Sequence, residues 1–490
     1  MYLVKNRRLL QAVLLIGIFF VFFSSFSYVQ AVVRYVDATG GNNANPGTDP
    51  GSPKATIQNA LGVSASGDQV WVAQGTYNTE NITMVSGVNL YGGYQRAGST
   101  WTRNVSVYVT TISRTGNVVT FNSGINSAID GFTITGGTLG IYIYNASPTI
   151  NNCTITGNTV DYGIYMYYQN SAQTGATITN NTITSNGNGT DWDAGIYIYF
   201  SKDTWNGTQY NMGTTTISGN NISNNNRNGI AINMYGYGYT GLNNYATLAI
   251  SNNTISNNAM YGTRFYVNGY NTSYYSRLTV AMNNNSISGH TSASGAIGVY
   301  SYTSSTDSRS WLYITGAGNT INNNYYGIYQ NNSYFSEISL QQGNITSNIN
   351  YAVYNSYSGQ MISTSLNWWG SSTGPSESQF AGNRVSSYVA YEPWSQSATV
   401  PGDPSSVTSI DLKTDATYAT TLSTNPGILD RLFIELVGVD SDAANANTTS
   451  VTIANSGSIS ALLSETGVNT GIYRGYCRIV GNGSNNDGYD

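Results

Sequence analysis

Asn180-Asn181-Thr182-Ile183, followed by Gly195-Ile196-Tyr197-Ile198-Tyr199, is one copy of a phrase that returns along this 490-residue chain. Upstream it reads Asn152-Cys153-Thr154-Ile155 before Gly163-Ile164-Tyr165. Downstream it becomes Asn220-Asn221-Ile222 before Gly229-Ile230, Asn252-Asn253-Thr254-Ile255 before Gly262, and Asn319-Thr320-Ile321 before Gly327-Ile328-Tyr329. The recurring isoleucines are Ile134, Ile155, Ile183, Ile222, Ile255, Ile287, Ile321 and Ile345. Their spacing varies from 21 to 39 residues. Units that short cannot bury an apolar face alone and must stack on their neighbours, which is the signature of a solenoid. The variable spacing predicts constant strands and loops of changing length, and loops are where such scaffolds carry function.

Strand, not helix, is the element that repeats. In Gly140-Ile141-Tyr142-Ile143-Tyr144, period-two alternation sends Ile141 and Ile143 inward and Tyr142 and Tyr144 outward. The same register predicts an inward Ile164, Met166, Ile196, Ile198, Ile230, Ile232, Phe265, Ile297, Val299 and Ile328. The outward set is Tyr165, Tyr167, Tyr197, Tyr199, Tyr266, Tyr300, Tyr329 and Tyr354. β-Branched residues dominate and Asn and Gly interrupt every few positions, which disfavours helix. The expected fold is all-β: a right-handed parallel β-helix, with Ile141, Ile164, Ile196, Ile230, Ile297 and Ile328 in one buried column. Eleven or so coils at about 4.8 Å make a rod roughly 50 Å long. Asn suits the corners because it tolerates left-handed backbone and stacked amides can bond along a column.

The ends of the chain read differently. Lys5, Arg7 and Arg8 precede an apolar run from Leu9 to Phe23, and Val29-Gln30-Ala31 offers a small-residue cleavage site, so residues 1–31 read as a signal peptide. Uncleaved, that run is close to membrane-spanning length, and either outcome puts the remainder outside the cytoplasm. Residues 32–397 are assigned to the β-helix, opening with a Gly/Asn/Pro-rich loop to Pro53, a short helical turn at Ile57–Leu61, and strands at Gln69–Ala73 and Val88–Tyr91. Residues 398–406, with Pro401 and Pro404, read as a linker. Alternating segments such as Leu432–Val439 and Ile472–Val480 then predict a small β-sandwich over 407–490.

Composition narrows the class. Charged residues are 8% of the chain, whereas it holds 54 Gly and 41 Tyr. The chain carries −5; without residues 1–31, which hold three basic and no acidic residues, 15 basic face 23 acidic residues, or −8. A mildly negative surface argues against a nucleic-acid partner. An uncharged, aromatic and amide-rich surface suits sugars or further copies of the chain. Cys153 and Cys477 fall in different regions, so no disulfide framework is indicated. Cys153 stands where the next repeat has Asn181, which reads as a buried small side chain.

Ile129-Asp130-Gly131-Phe132-Thr133-Ile134, the Asn-Asn-Thr-Ile and Gly-Ile-Tyr phrases, and Tyr35-Val36-Asp37 resemble secreted parallel β-helix repeat proteins of the pectate-lyase-like fold. Asn367-Trp368-Trp369-Gly370 with Gly374-Pro375 is similar to a motif that closes the helix in bacterial and archaeal surface proteins of this kind. Asp430-Arg431-Leu432-Phe433-Ile434-Glu435 and Glu465-Thr466-Gly467 with Thr470-Gly471 resemble an immunoglobulin-like surface-protein module. Such modules usually add a strand beyond Val480, so that resemblance implies a truncated module.

This fold carries lyases, hydrolases, epimerases, adhesins and inert rods, so function must come from residues. Polygalacturonase-like members use paired aspartates and a Gly-His-Gly segment, whereas the sole histidine here, His290 in Ser288-Gly289-His290-Thr291, has no aspartate pair beside it. It reads as a solvated or hydrogen-bonded corner residue. Pectate-lyase-like members need acidic Ca²⁺ ligands beside a basic residue. The nearest equivalent is Asp161, Asp191, Asp193 and Asp203 with Arg227 and Arg264, and Asp191-Trp192-Asp193 would offer a sugar-and-metal corner. Asp is also an ordinary turn residue, and the remaining ligands cannot be placed. Asp440–Asn447 lacks the glycine and closing glutamate of an EF-hand and reads as a polar loop.

The outward tyrosines are the strongest non-catalytic feature. Aromatic faces with a polar tip suit sugar rings or protein surfaces, while Tyr also favours strands for its own packing. Tyr142, Tyr144, Tyr165, Tyr167, Tyr197 and Tyr199 are therefore the candidate binding residues, Asp191 and Asp193 the candidate metal ligands, and no residue is assigned as catalytic. The outward column breaks at Ala231, Arg264 and Gly298, predicting a notch. The expected function is adhesion, surface structure or glycan binding, outside the cell or on its surface, without catalysis and without a required cofactor. A polysaccharide lyase is the alternative.

Overall fold

The computed structural model describes residues 31–395, apart from 170–174, 203–209, 237–241, 270–273, 292–294, 304–309, 332–335, 372–373, 376–383 and 392–394. Beyond 395 it describes the backbone of the strands at 406–413, 431–439, 448–455, 457–465 and 472–478. The segments expected to be a signal peptide and a linker lie outside the described residues, apart from Ala31 and Ser406, as do Asp203 and residues 440–447.

Three sheets of stacked parallel strands form a β-helix. The first runs from Val33–Val36 through Thr149–Asn151, Thr177–Thr179 and Tyr210–Ser218 to Val389–Ala390. The second runs from Gly75–Tyr77 through Thr154–Thr156 and Thr182–Thr184 to Asn344–Thr346, and the third from Ile82–Thr83 through Leu139–Tyr144 and Ala194–Lys202 to Tyr351–Asn355. Pairing between successive coils is parallel throughout, as the repeat length requires. The antiparallel exception is a hairpin, Asn89–Ala97 with Thr100–Arg103. A short helix, Ile57–Gly62, covers the opening coil and buries Ile57, Ala60 and Leu61.

The recurring isoleucines form a single column in the second sheet. Ile134, Ile155, Ile183, Ile222, Ile255, Ile287, Ile321 and Ile345 pair in register, each at most 1% exposed. Burying each stabilises the stack by roughly 1.5–3 kcal/mol before chain entropy is counted. A second column in the third sheet holds Ile141, Ile164, Ile196, Ile230, Thr263, Val299, Ile328 and Val353. Ile297, expected in that column, is displaced from it: it pairs with Tyr261 and Tyr326, and Val299 takes its place. The residue after each glycine sets the register, and Ile297 precedes Gly298.

Coil length also varies differently from expectation. Described strands of the second sheet keep three or four residues, but strands of the other sheets lengthen from three at Thr149–Asn151 to ten at Leu242–Ser251 and Tyr274–Asn283. Paired strands extend together where the alternating pattern extends, so part of the spacing is sheet rather than loop.

The Asn-Asn corners divide two tasks between adjacent residues. Asn180, Asn252 and Asn284 adopt φ of 54 to 56°, the left-handed region Asn tolerates. Their successors Asn181, Asn253 and Asn285 point inward and form a ladder with Asn220 and Asn319. In each step one Asn donates Nδ2–H to the Oδ1 of the next coil at 3.0 Å and to a main-chain carbonyl. Cys153 occupies a rung: its N–H donates to Asn181 Oδ1 at 2.9 Å, and the buried thiol is raised to about 12 by desolvation. A second ladder runs Asn158, Asn186, Asn225, Asn258, His290, Asn324, Asn348. This ladder explains the glycine of Gly-Ile-Tyr. A Cβ on Gly163, Gly195 or Gly229 would lie 2.8 Å from the Nδ2 of Asn186, Asn225 or Asn258.

Asn367 of Asn-Trp-Trp-Gly closes the first ladder by accepting the Gly343 N–H at 2.8 Å, and Trp369 is fully buried behind it. The described strands beyond residue 405 form a five-stranded antiparallel sheet in the order 406–413, 431–439, 472–478, 457–465, 448–455. Its first strand begins at Ser406, the last position assigned to the linker. No helix among the described residues is long and apolar enough to cross a membrane.

Candidate functional site

The outer side of the third sheet carries tyrosine rows in register. Tyr142, Tyr165 and Tyr197 pair on successive coils with ring centroids 5.6 and 5.4 Å apart; Tyr144, Tyr167 and Tyr199 repeat those spacings beside them. The rows resume beyond a gap as Tyr300, Tyr329 and Tyr354, and as Tyr266 and Tyr302. Rings packed at this distance shelter one another, so Tyr142, Tyr144, Tyr165, Tyr167 and Tyr199 are half-buried. Burial and neighbouring phenols raise the hydroxyls of Tyr266 and Tyr329 to about 12, so both are neutral phenols at physiological pH.

Tyr197, expected to be exposed, is 7% exposed. Tyr162 stacks on it at 4.6 Å, and Trp192 covers it at 5.8 Å. This is the consequence of a loop that closes the expected notch. Ala231 and Arg264 do interrupt the row between Tyr197 and Tyr300, whereas Gly298 belongs to the glycine column beneath the second ladder. Over Ala231 the space is taken by Trp192, which packs against Ala194, Tyr197 and Ala231 and meets Tyr266 edge-on at 5.6 Å. Arg264 lies flat on the indole, 3.7 Å from the ring centre. Sequence reasoning treated Trp192 as a sugar-facing residue; the small side chain at Ala231, one coil further on, was the available sign that something would fill the gap.

The two aspartates flanking Trp192 serve different ends. Asp191 receives Arg227 at 3.3 Å and Arg264 at 3.2 Å on Oδ1, with a second Arg264 bond to its carbonyl at 2.8 Å. Asp193 is 2% exposed and turns into its own loop. Its Oδ2 accepts the N–H groups of Asn188, Gly189 and Thr190 at 2.7 to 3.0 Å, and its Oδ1 accepts the Thr190 hydroxyl at 2.9 Å. The pair therefore clamps and staples the loop, with the Asp193 oxygens committed to these donors. Asp161 is half-buried, and burial followed by the Asp193 charge raises its carboxyl. Among the described residues no three His, Cys, Asp or Glu side chains gather as a metal site.

His290 is a rung of the second ladder. It is fully buried, with Nδ1–H donating to Asn324 Oδ1 at 2.7 Å and Nε2 accepting from Asn258 at 3.3 Å. Only the neutral ring keeps that direction, and burial lowers the imidazole to about 4. It is hydrogen-bonded at a corner as expected, but not solvated.

At the far end of the same face, where the third sheet stops, a cleft of about 460 Å³ opens between Tyr351, Tyr354, Arg384 and Tyr388. Sequence reasoning missed it, because Arg384 lies outside the repeats and nothing in its local sequence marks the approach to Tyr351.

A family model described as a protein of unknown function (DUF1565) matches residues 39–269, under half of the chain. No curated protein matches. Among solved structures, an alginate lyase from a Paenibacillus species is 15% identical, with 68% of this chain and 96% of that chain covered and a TM-score of 0.35. The pectate lyase Pel9A is 13% identical, with 82% and 92% covered and a TM-score of 0.39. A tailspike protein of an Acinetobacter baumannii bacteriophage, titled a capsular polysaccharide depolymerase, is 11% identical, with 83% and 78% covered and a TM-score of 0.32.

Proposed function

We propose that this chain is a non-catalytic β-helix of the cell surface or exterior that holds glycans on the tyrosine face of its third sheet, with the antiparallel tail as a sandwich module. The observation that carries this reading is the paired tyrosine rows, in which Tyr142, Tyr144, Tyr165, Tyr167 and Tyr199 present half-buried rings over successive coils. Flat aromatic surface with polar tips matches the alternating apolar and hydroxyl faces of a sugar. A carboxylate pair able to divide acid and base roles is the requirement of a lyase or hydrolase. The Asp191 and Asp193 carboxylates are instead committed to arginines and loop amides, which favours binding over turnover. The amino-terminal basic-then-apolar segment supports export.

Individual ring contacts are weak and act together along a polymer. Replacing Tyr142, Tyr144, Tyr165 and Tyr167 by Ser is expected to abolish retention on immobilised polysaccharide while circular dichroism stays unchanged. Retention surviving that variant, or new reducing ends accumulating with the unaltered protein, overturns the reading.

A further inference from the structure

We propose that the cleft at the end of the tyrosine face is a subsite for an acidic sugar, with Arg384 receiving its carboxylate and Tyr351, Tyr354 and Tyr388 receiving its ring. The inference rests on the glycan reading and adds the charge of the ligand and the residue that reads it.

Arg384 is held by strand-like pairing, since its carbonyl accepts the Ala352 N–H at 2.8 Å and Val353 bridges Val385. Its guanidinium lies 4.0 Å from the ring centre of Tyr351. Among the described residues that group has no carboxylate partner and no hydrogen-bond acceptor, in a region where five other arginines are each paired with an aspartate. A guanidinium stacked on an aromatic face is oriented but keeps its in-plane N–H fork, which fits a carboxylate with two parallel bonds.

The rest of the cleft matches a sugar. Its volume of about 460 Å³ falls within the range of ligand clefts, roughly 300–1,000 Å³. Tyr351 and Tyr354 continue the tyrosine rows through Tyr326 at 6.0 Å and Tyr329 at 4.9 Å, so a chain lying on the face leads into it. Ser358 and Ser387 add exposed hydroxyls at the rim. Tyr388 is an aromatic residue at φ 62°, a conformation that costs of order 1–2 kcal/mol. Asn355 Nδ2–H and the Ile362 N–H both hold its carbonyl at 3.1 Å, and the residue is 48% exposed in the cleft that Arg384 also lines.

The test compares two oligomers of one backbone: a β-1,4-linked glucose hexamer and its C6-oxidised glucuronate counterpart, titrated calorimetrically into the full chain. The glucuronate form is expected to bind on the order of tenfold more tightly at low salt, the usual worth of a charge-assisted bond, and to lose that margin at 1 M salt. Arg384→Gln should bring the two hexamers to equal affinity, and Arg384→Lys should restore part of the difference. Equal affinities for the two hexamers, or a preference that survives Arg384→Gln, overturns the acidic subsite while the tyrosine reading stands. Binding of neither hexamer overturns the subsite too, and the polysaccharide-retention assay then judges the tyrosine face separately.

Discussion

Two arginines lie on rings of the same face, and their surroundings are opposite. Arg264 rests on Trp192 and is bonded to Asp191, on a loop that fills the gap left by Ala231. Arg384 rests on Tyr351 with no carboxylate beside it among the described residues and a cleft at its side. Stacking on an aromatic ring orients both, so stacking alone does not make a site. What separates them is whether the chain supplies its own anion. Where it does, the surface is finished; where it does not, the surface is open to a ligand.

Between the two regions, His290 interrupts the second ladder, which makes protonation the strongest way to separate them. Its native-state imidazole is lowered to about 4 against an ordinary 6.5, so the unfolded chain takes up a proton first as pH falls. The stability this neutral ring contributes is therefore present above pH 6.5 and lost towards pH 4, by about 3 kcal/mol in all. His290→Asn restores an amide rung and should flatten that part of the profile; urea midpoints at pH 7 and 4.5 measure it. An equal acid loss in both proteins would show that the ladder tolerates the charged ring.

A smaller effect is expected from Asp193→Ala, which strips three loop N–H groups and one hydroxyl of their acceptor. The cost should be about 2 kcal/mol, with hydrogen exchange speeding over residues 187–193 and not over 351–355. The smallest belongs to Asp191→Asn. Its side chain is 62% exposed, so the stability change should stay under about 1 kcal/mol. That change should nonetheless convert Arg264 towards the open condition, adding a second, weaker glucuronate site to the calorimetric titration. A stoichiometry that stays at one would mean that Trp192, rather than Asp191, is what closes the region.

The parallel stack, its inward isoleucines and the tyrosine register were legible in the sequence because period two and the repeat are local patterns. Ile297 was misplaced because alternation alone admits both Ile297 and Val299, and the sign that decides, the glycine that precedes each column residue from Ile141 to Ile328, was not applied to Gly298. The double asparagines were recognised as corners, yet their division into a left-handed residue and an inward rung shows only in the bond each rung makes to the asparagine of the next coil. The site was less legible still. Asp191 and Asp193 resemble a metal pair on paper because sequence gives their spacing and not the direction of their oxygens. Arg384 gave no local sign, since its meaning lies in a ring more than thirty residues away.

The asparagine ladders also give the molecule a temporal order. From Asn181 to Asn285 each rung of the first ladder donates towards the coil that follows it in the chain: Asn181 to Asn220, Asn220 to Asn253, Asn253 to Asn285, Asn285 to Asn319. A polypeptide emerging amino terminus first thus always presents a newest coil whose donors await the next one, and each unmet buried donor costs roughly 1–3 kcal/mol. Growth relieves that cost one turn at a time. The sequence of debts ends at Asn319, whose Nδ2–H turns back to the Met282 carbonyl at 2.8 Å, and Asn367 likewise donates back to Leu340 and Thr364, both at 2.7 Å, so neither asks anything of a later residue. The β-helix is in this sense vectorial: it can be lengthened by copying a coil anywhere before that stop, and a chain halted ahead of it would be left with a sticky, forward-facing end.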